Sequence, residues 1–146
     1  MNREQAASAV REAKLSRKIS WKSLAEAVGR SPAWTTAALL GQHTMSEEEA
    51  RAAVSLLHLD NEVCEALQQI PYRGAALPVP TDPTIYRFHE LIQVYGDTLK
   101  ELIHEEFGDG IMSAIDFEMS LERKEDPKGD RVVITLNGKF LPYRKY

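Results

Sequence analysis

The chain has 146 residues, 43% of them hydrophobic, and a formal net charge of −4. That composition suits one ordinary domain or two very small ones and excludes a wholly disordered chain. The lone cysteine, Cys64, excludes an intramolecular disulfide framework and a multi-cysteine metal site, and no apolar run approaches the roughly 20 residues a membrane span needs.

The first part predicts helices. Gln5 to Leu15 carries small and apolar residues at helical spacing. Ser20 is placed to cap a second helix, Trp21–Val28, with Gly29 ending it. Ser31 caps a third, with Pro32 at its first position, running to Leu40 before Gly41. Ser46 opens a fourth, whose first turn holds Glu47, Glu48 and Glu49, where the helix dipole favours negative charge. It reaches about Leu57, and Asn61–Gln69 predicts a short fifth. Together these make a compact bundle with a helix-turn-helix look over residues 1–75. Pro71, Gly74, Pro78, Pro80 and Pro83 then crowd a stretch that cannot be helix, and the domain boundary is expected there.

Residues 76–146 change character. Asp82 is a good N-cap, with Pro83 suited to the first helical position. Ile85, Phe88, Ile92, Tyr95, Leu99 and Leu102 follow in steps of three and four, forming one apolar stripe that ends at Gly108. The period then drops to two. Ile115, Phe117, Met119 and Leu121 alternate with Asp116, Glu118, Ser120 and Glu122, as in a half-buried strand. Asp126–Gly129 predicts a turn and Arg131–Leu136 a second strand. Asn137-Gly138 carries a hairpin-turn signal, with Lys139–Leu141 returning briefly. The expected fold is mainly α with a small β ribbon (α+β). One long helix and a ribbon supply little core, and a two-stranded ribbon is not stable alone. Other subunits are therefore expected to complete this half.

Few residues suggest chemistry by spacing. The four histidines, His43, His58, His89 and His104, are scattered, and no metal site is expected. Gly108-x-Gly110-x-x-Ser113 imitates a dinucleotide loop but lies between a helix and a following strand, the reverse of the required order. Cys64, in an apolar helical setting, predicts a buried thiol. Arg87 and Glu90 share a helix face outside the apolar stripe, near a helix N-terminus, where dipoles favour anions. Spacing alone equally describes an ordinary exposed ion pair. Ser113 alone equally describes a turn-stabilising hydroxyl. Periodicity does not find an active site here.

The wording of the chain carries further. Pro80-Thr-Asp-Pro-Thr-Ile-Tyr-Arg-Phe-His-Glu-Leu-Ile-Gln-Val-Tyr-Gly96 resembles the signature of the cyanases (cyanate hydratases, also called cyanate lyases). The resemblance continues from Thr98 to Phe117 and resumes from Val133 to Pro142. It is looser in the first half, through Ala37–Gln42 and Ile70-Pro71. It implies an enzyme that combines cyanate with bicarbonate to give carbamate and carbon dioxide, the carbamate then decomposing to ammonia and a second carbon dioxide. It implies no metal or organic cofactor, bicarbonate being a co-substrate. The family's catalytic arginine, glutamate and serine fall on Arg87, Glu90 and Ser113. His89 departs from the aromatic, such as tyrosine, expected there. The resemblance also implies a homodecamer of five dimers, with intertwined C-terminal segments and active sites between subunits.

These residue types suit that chemistry. Two small anions repel one another, and a fixed guanidinium offsets the repulsion with directed donors. Ser113 can hydrogen-bond an oxyanion without adding charge, and Glu90 can orient Arg87 or handle a proton. Bulk charge will not help. Residues 1–80 hold nine basic and nine acidic residues, and residues 81–146 hold nine and thirteen. The rival reading is a DNA-binding helix-turn-helix regulator. Its would-be recognition helix, Ser31–Leu40, has no Lys, Arg, Asn or Gln to read base edges, so no nucleic-acid partner is expected. The polar N-terminus lacks the apolar core of a secretory signal, and no membrane partner is expected. The expected location is the cytoplasm.

Overall fold

A computed structural model describes residues 1–71 and 79–144. The boundary expected at residues 75–76, with Gly74 and Pro78, lies outside the described residues. The chain forms six helices and two strands among those described. They fall into two compact units: Met1–Gly74 with Met119–Thr135, and Ala75–Glu118 with Leu136–Tyr146.

The helices α1 (Arg3–Arg17), α2 (Trp21–Val28), α3 (Pro32–Leu39), α4 (Glu47–Leu57) and α5 (Asn61–Leu67) form the bundle. Each of the first four is started by a side-chain cap. Asn2 and Gln5 form a reciprocal capping box on α1, and Ser46 and Glu49 do the same on α4. Ser20 and Ser31 accept from Ser23 N–H and Trp34 N–H at 3.0 and 3.3 Å. Gly29, at φ +78°, ends α2 in the left-handed region. The caps fix where each helix enters, and the apolar faces then meet in one core of Val10, Leu24, Leu39, Met45, Leu57 and Leu67. Cys64 is buried in it, as its setting predicts.

One tie was not visible in the sequence. The Arg3 guanidinium donates to the carbonyls of Ala66, Leu67 and Ala38 at 3.1, 2.6 and 3.2 Å, and to that of His43. Ala66 and Leu67 end α5, and Ala38 lies in the last turn of α3. Helix C-termini leave carbonyls without intrahelical partners and carry partial negative charge. One cation from α1 therefore satisfies two helix ends at once.

The other unit contains α6 (Pro83–Phe107), twenty-five residues long. Asp82 accepts from Thr84 N–H and Ile85 N–H at 2.9 and 3.0 Å, and Gly108 ends the helix at φ +90°. Strands β1 (Gly110–Lys124) and β2 (Arg131–Pro142) pair as a two-stranded sheet. The turn between them is tied by Gly129 N–H to Asp126 O at 2.9 Å. Two expectations change here. β1 begins at Gly110, five residues before Ile115. Asn137-Gly138 is not a hairpin turn, because β2 runs straight through it. Pairing with the longer β1 supplies backbone partners that outweigh a dipeptide's turn preference.

Arg3→Ala should destabilise the bundle by about 1–3 kcal/mol, since part-buried carbonyls lose a charged donor. Arg3→Lys should recover only part of that, because an ammonium cannot span four carbonyls as a planar fork does. Urea unfolding followed by circular dichroism measures both.

Candidate active site

The Asp82 cap sets the first turn of α6 and thereby the face on which the following residues stand. Arg87 and Glu90 come together there, with Arg87 Nη1 2.7 Å from Glu90 Oε2. The pair is open to solvent in the single chain, at 66% and 49% side-chain exposure, so it contributes little to stability. Its effect is orientation: the carboxylate holds one edge of the guanidinium and leaves the rest of the fork free.

Tyr86 supplies a second contact that the sequence reading missed. The Arg87 guanidinium carbon lies 5.5 Å from the Tyr86 ring centroid, a cation–π approach. The His89 ring also lies against this aromatic, 5.8 Å from Tyr86 at 36°. Tyr86 and His89 are three apart and half-buried. That i, i+3 spacing beside Arg87 was the available signal. The first turns of α6 thus carry one continuous patch of Tyr86, Arg87, His89 and Glu90.

Ser113 occupies a different environment. It is only 5% exposed, one of two buried polar residues among those described. Its Oγ accepts from Ile115 N–H at 3.1 Å and from Asp116 N–H at 2.9 Å. In a regular strand, residues three apart are separated by about 10 Å. A hydroxyl bonded to the N–H three residues on therefore marks a bulge in β1. A serine oxygen has two lone pairs and one proton. With both lone pairs engaged, the hydroxyl can only donate outward. No acceptor among the described residues takes its proton.

The three residues do not meet within one chain. Arg87 and Glu90 stand near the start of α6. The strand bearing Ser113 is anchored at the other end, where His104 Nε2 lies 3.3 Å from Gly110 O and the Phe107 and Phe140 rings stack at 5.1 Å. The seventeen residues from Arg87 to His104 span about 25 Å of helix rise. Among the described residues, no strand packs extensively along α6.

The apolar stripe explains what this leaves open. α6 buries no residue, and Ile85, Ile92, Tyr95 and Leu102 are each more than half exposed. Leu136, Leu121 and Val132 of the hairpin are as open. A surface of this size and apolarity on one chain is the mark of an interface. Among the described residues, no three His, Cys, Asp or Glu side chains form a group that could hold a metal ion.

Comparison with known proteins places both halves of the chain. Residues 78–145 match the family described as cyanate lyase C-terminal domain. Residues 3–71 match the family described as cyanate hydratase, N-terminal. The chain is 59% identical to a cyanate hydratase of Dechloromonas aromatica, over the full length of both. It is 57% identical to one of Mycolicibacterium vanbaalenii, over 98% of this chain and 94% of that one. Among solved structures, the cyanase from T. urticae aligns with a TM-score of 0.80 at 38% identity, covering 94% of this chain and 96% of that one.

The exposed stripe makes a direct prediction. The chain should sediment as an oligomer at low micromolar concentration. Leu99→Glu should shift it to smaller species while the bundle stays folded, since Leu99 belongs to α6 alone. Sedimentation velocity with circular dichroism on the same samples separates the two effects.

Proposed function

The chain belongs to the cyanate hydratase family, and from that premise we propose that it decomposes cyanate with bicarbonate as co-substrate, at sites built from Arg87, Glu90 and Ser113 of different subunits. The enzyme is a lyase. Bicarbonate supplies the nucleophilic oxygen, which bonds to the cyanate carbon. Loss of carbon dioxide with uptake of one proton leaves carbamate. A second proton then accompanies its breakdown to ammonia and carbon dioxide.

The single observation that carries this reading is the Arg87–Glu90 pair at 2.7 Å, oriented but open on one side. Arg87 is the cation that brings two anions within reach of each other. Glu90 holds it, and it is the nearest group to take up or release a proton. Ser113 and neighbouring backbone N–H groups are the neutral donors for charge that develops on oxygen. No covalent enzyme intermediate is required. The work is positioning and preorganised electrostatics, with no metal or organic cofactor in the proposed route.

Sharing the site between chains is part of the proposal. Two observations support it: the helix length between Arg87 and the Ser113 strand, and the uncovered stripe of α6. It also relieves a charge problem. Arg87 is offset by Glu90, so one chain offers two anions no net positive charge. Subunits that converge pool their donors. In this scheme residues 76–146 form the catalytic and oligomerisation domain of a homodecamer of five dimers, and residues 1–75 the helical domain. The location proposed is the cytoplasm, in keeping with a single buried thiol. No described helix is long and apolar enough to cross a membrane.

DNA binding is not favoured. Arg30, the one basic residue flanking α3, is taken up by Glu49 at 2.6 Å and by the Trp34 ring at 4.6 Å. The helix itself carries no Lys, Arg, Asn or Gln, the side chains that make bidentate contacts to base edges.

Ammonia release from cyanate, measured with bicarbonate present and then stripped, tests the reaction. Turnover should require bicarbonate; hydrolysis independent of it, or none, overturns the reading. In the same assay Arg87→Lys should lose at least about tenfold in turnover, because a point charge does not replace a planar fork. Near-normal turnover counts against Arg87. Subunit mixing tests the shared site: Arg87→Ala and Ser113→Ala should each be inactive alone, and refolding them together should restore part of the activity. No recovery in verified mixed oligomers overturns the shared site.

A further inference from the structure

Gly138 belongs to the dipeptide that the sequence marks as a turn, yet it lies inside β2. Its φ is outside the left-handed region, so backbone freedom does not explain a glycine there. Space does. A Cβ on Gly138 would stand 2.5 Å from the Ser113 carbonyl oxygen and 2.5 Å from Met112 Cγ. Both distances are well inside van der Waals contact. A methionine side chain can swing away, whereas a paired backbone carbonyl cannot. The atom that requires glycine at 138 is therefore the backbone of Ser113.

Gly110 offers an internal comparison. A Cβ there would also collide, at 2.4 Å from Leu141 O and 2.5 Å from Phe140 Cζ. It too has an ordinary φ. Two glycines on facing strands thus permit two close approaches of β1 and β2, but only the approach at Gly138 involves Ser113. Ser113 is gripped twice. Its carbonyl is seated against Gly138, and its hydroxyl is tied to Ile115 and Asp116 N–H in the bulge. Pushing the carbonyl outward turns the same residue about its Cα and swings the hydroxyl.

We infer that Gly138 is a positioning residue for the reaction, its missing side chain seating the Ser113 backbone so that the hydroxyl proton points at the reacting oxygen. This rests on the assignment of Ser113 to the active site.

The test uses the full-length protein in the bicarbonate-dependent ammonia assay, with melting temperature measured on every variant. Gly138→Ala should lower kcat at least about tenfold, since sub-ångström to ångström displacement of a catalytic donor costs on that scale. Gly110→Ala should lower the melting temperature comparably with a much smaller loss of kcat. Met112→Ala/Gly138→Ala removes the side-chain collision and leaves the carbonyl one. It should leave melting temperature and kcat both depressed, because the carbonyl collision sets the cost. Four outcomes overturn the inference: kcat within about twofold of the parent in Gly138→Ala; recovery of kcat in the double variant; equal kcat losses in Gly138→Ala and Gly110→Ala; or loss of the fold in both variants carrying Gly138→Ala, which makes the glycine structural. Ser113→Ala in the same assay separates the levels. If it keeps full turnover, the assignment of Ser113 fails and takes this inference with it. If it is inactive while Gly138→Ala is normal, only the inference fails.

Discussion

A helix of twenty-five residues that buries none of them is the constraint on which this molecule turns. Helices hold their shape in water chiefly by packing an apolar face. α6 has such a face, from Ile85 through Leu102, and among the described residues that face stays exposed. The Asp82 cap and the Gly108 stop define its ends but do not cover its side. The hairpin has the same deficit, since two strands alone rarely persist. In the proposed assembly, association supplies what this half lacks, and a site placed on it inherits that condition. The bundle of α1–α5 stands in contrast, with Leu24, Leu39 and Leu57 fully enclosed.

The second constraint is electrostatic. The chain is acidic overall, so it does not draw anions by net charge. The Arg87–Glu90 pair is locally neutral as well. What it provides is direction: a guanidinium fork held at one edge by a carboxylate and flanked on its face by Tyr86. Directed donors discriminate among small anions better than a diffuse field does.

Local rules made much of the fold legible in the sequence. Ser20, Ser31, Ser46 and Asp82 each act as the N-cap that their spacing implied. The apolar stripe located α6, and its mismatch with so small a domain pointed to other subunits. What escaped was non-local. Arg3 could not be read as a tie because its partners lie 35 to 64 positions away. Asn137-Gly138 carries a turn signal that the strand opposite overrides, and a dipeptide holds no information about that strand. Ser113 was illegible by spacing, since its distinguishing feature is a bulge, and a bulge exists only relative to a partner strand. Tyr86 lies off the apolar stripe of α6, so periodicity does not mark it. The family wording supplied Arg87, Glu90 and Ser113, which physical patterning alone left ambiguous.

The two parts of the proposed site are organised differently, and the difference follows from where each sits. Ser113 is preorganised within its own chain. It is buried, its hydroxyl is fixed by two backbone donors, and its carbonyl is seated against the opposite strand. Arg87 is not. It is mostly exposed, on a helix that buries none of its residues, and among the described residues Glu90 and Tyr86 restrain it. Two residues on the same helix cannot exclude water from the pair, and a solvated ion pair is weak. The same atoms in a covered seam would face lower dielectric, where the hydrogen bonds between them strengthen. Assembly therefore does more in the proposed site than bring Arg87 to Ser113. It converts a loose surface ion pair into a fixed donor while leaving the serine as the hairpin already made it.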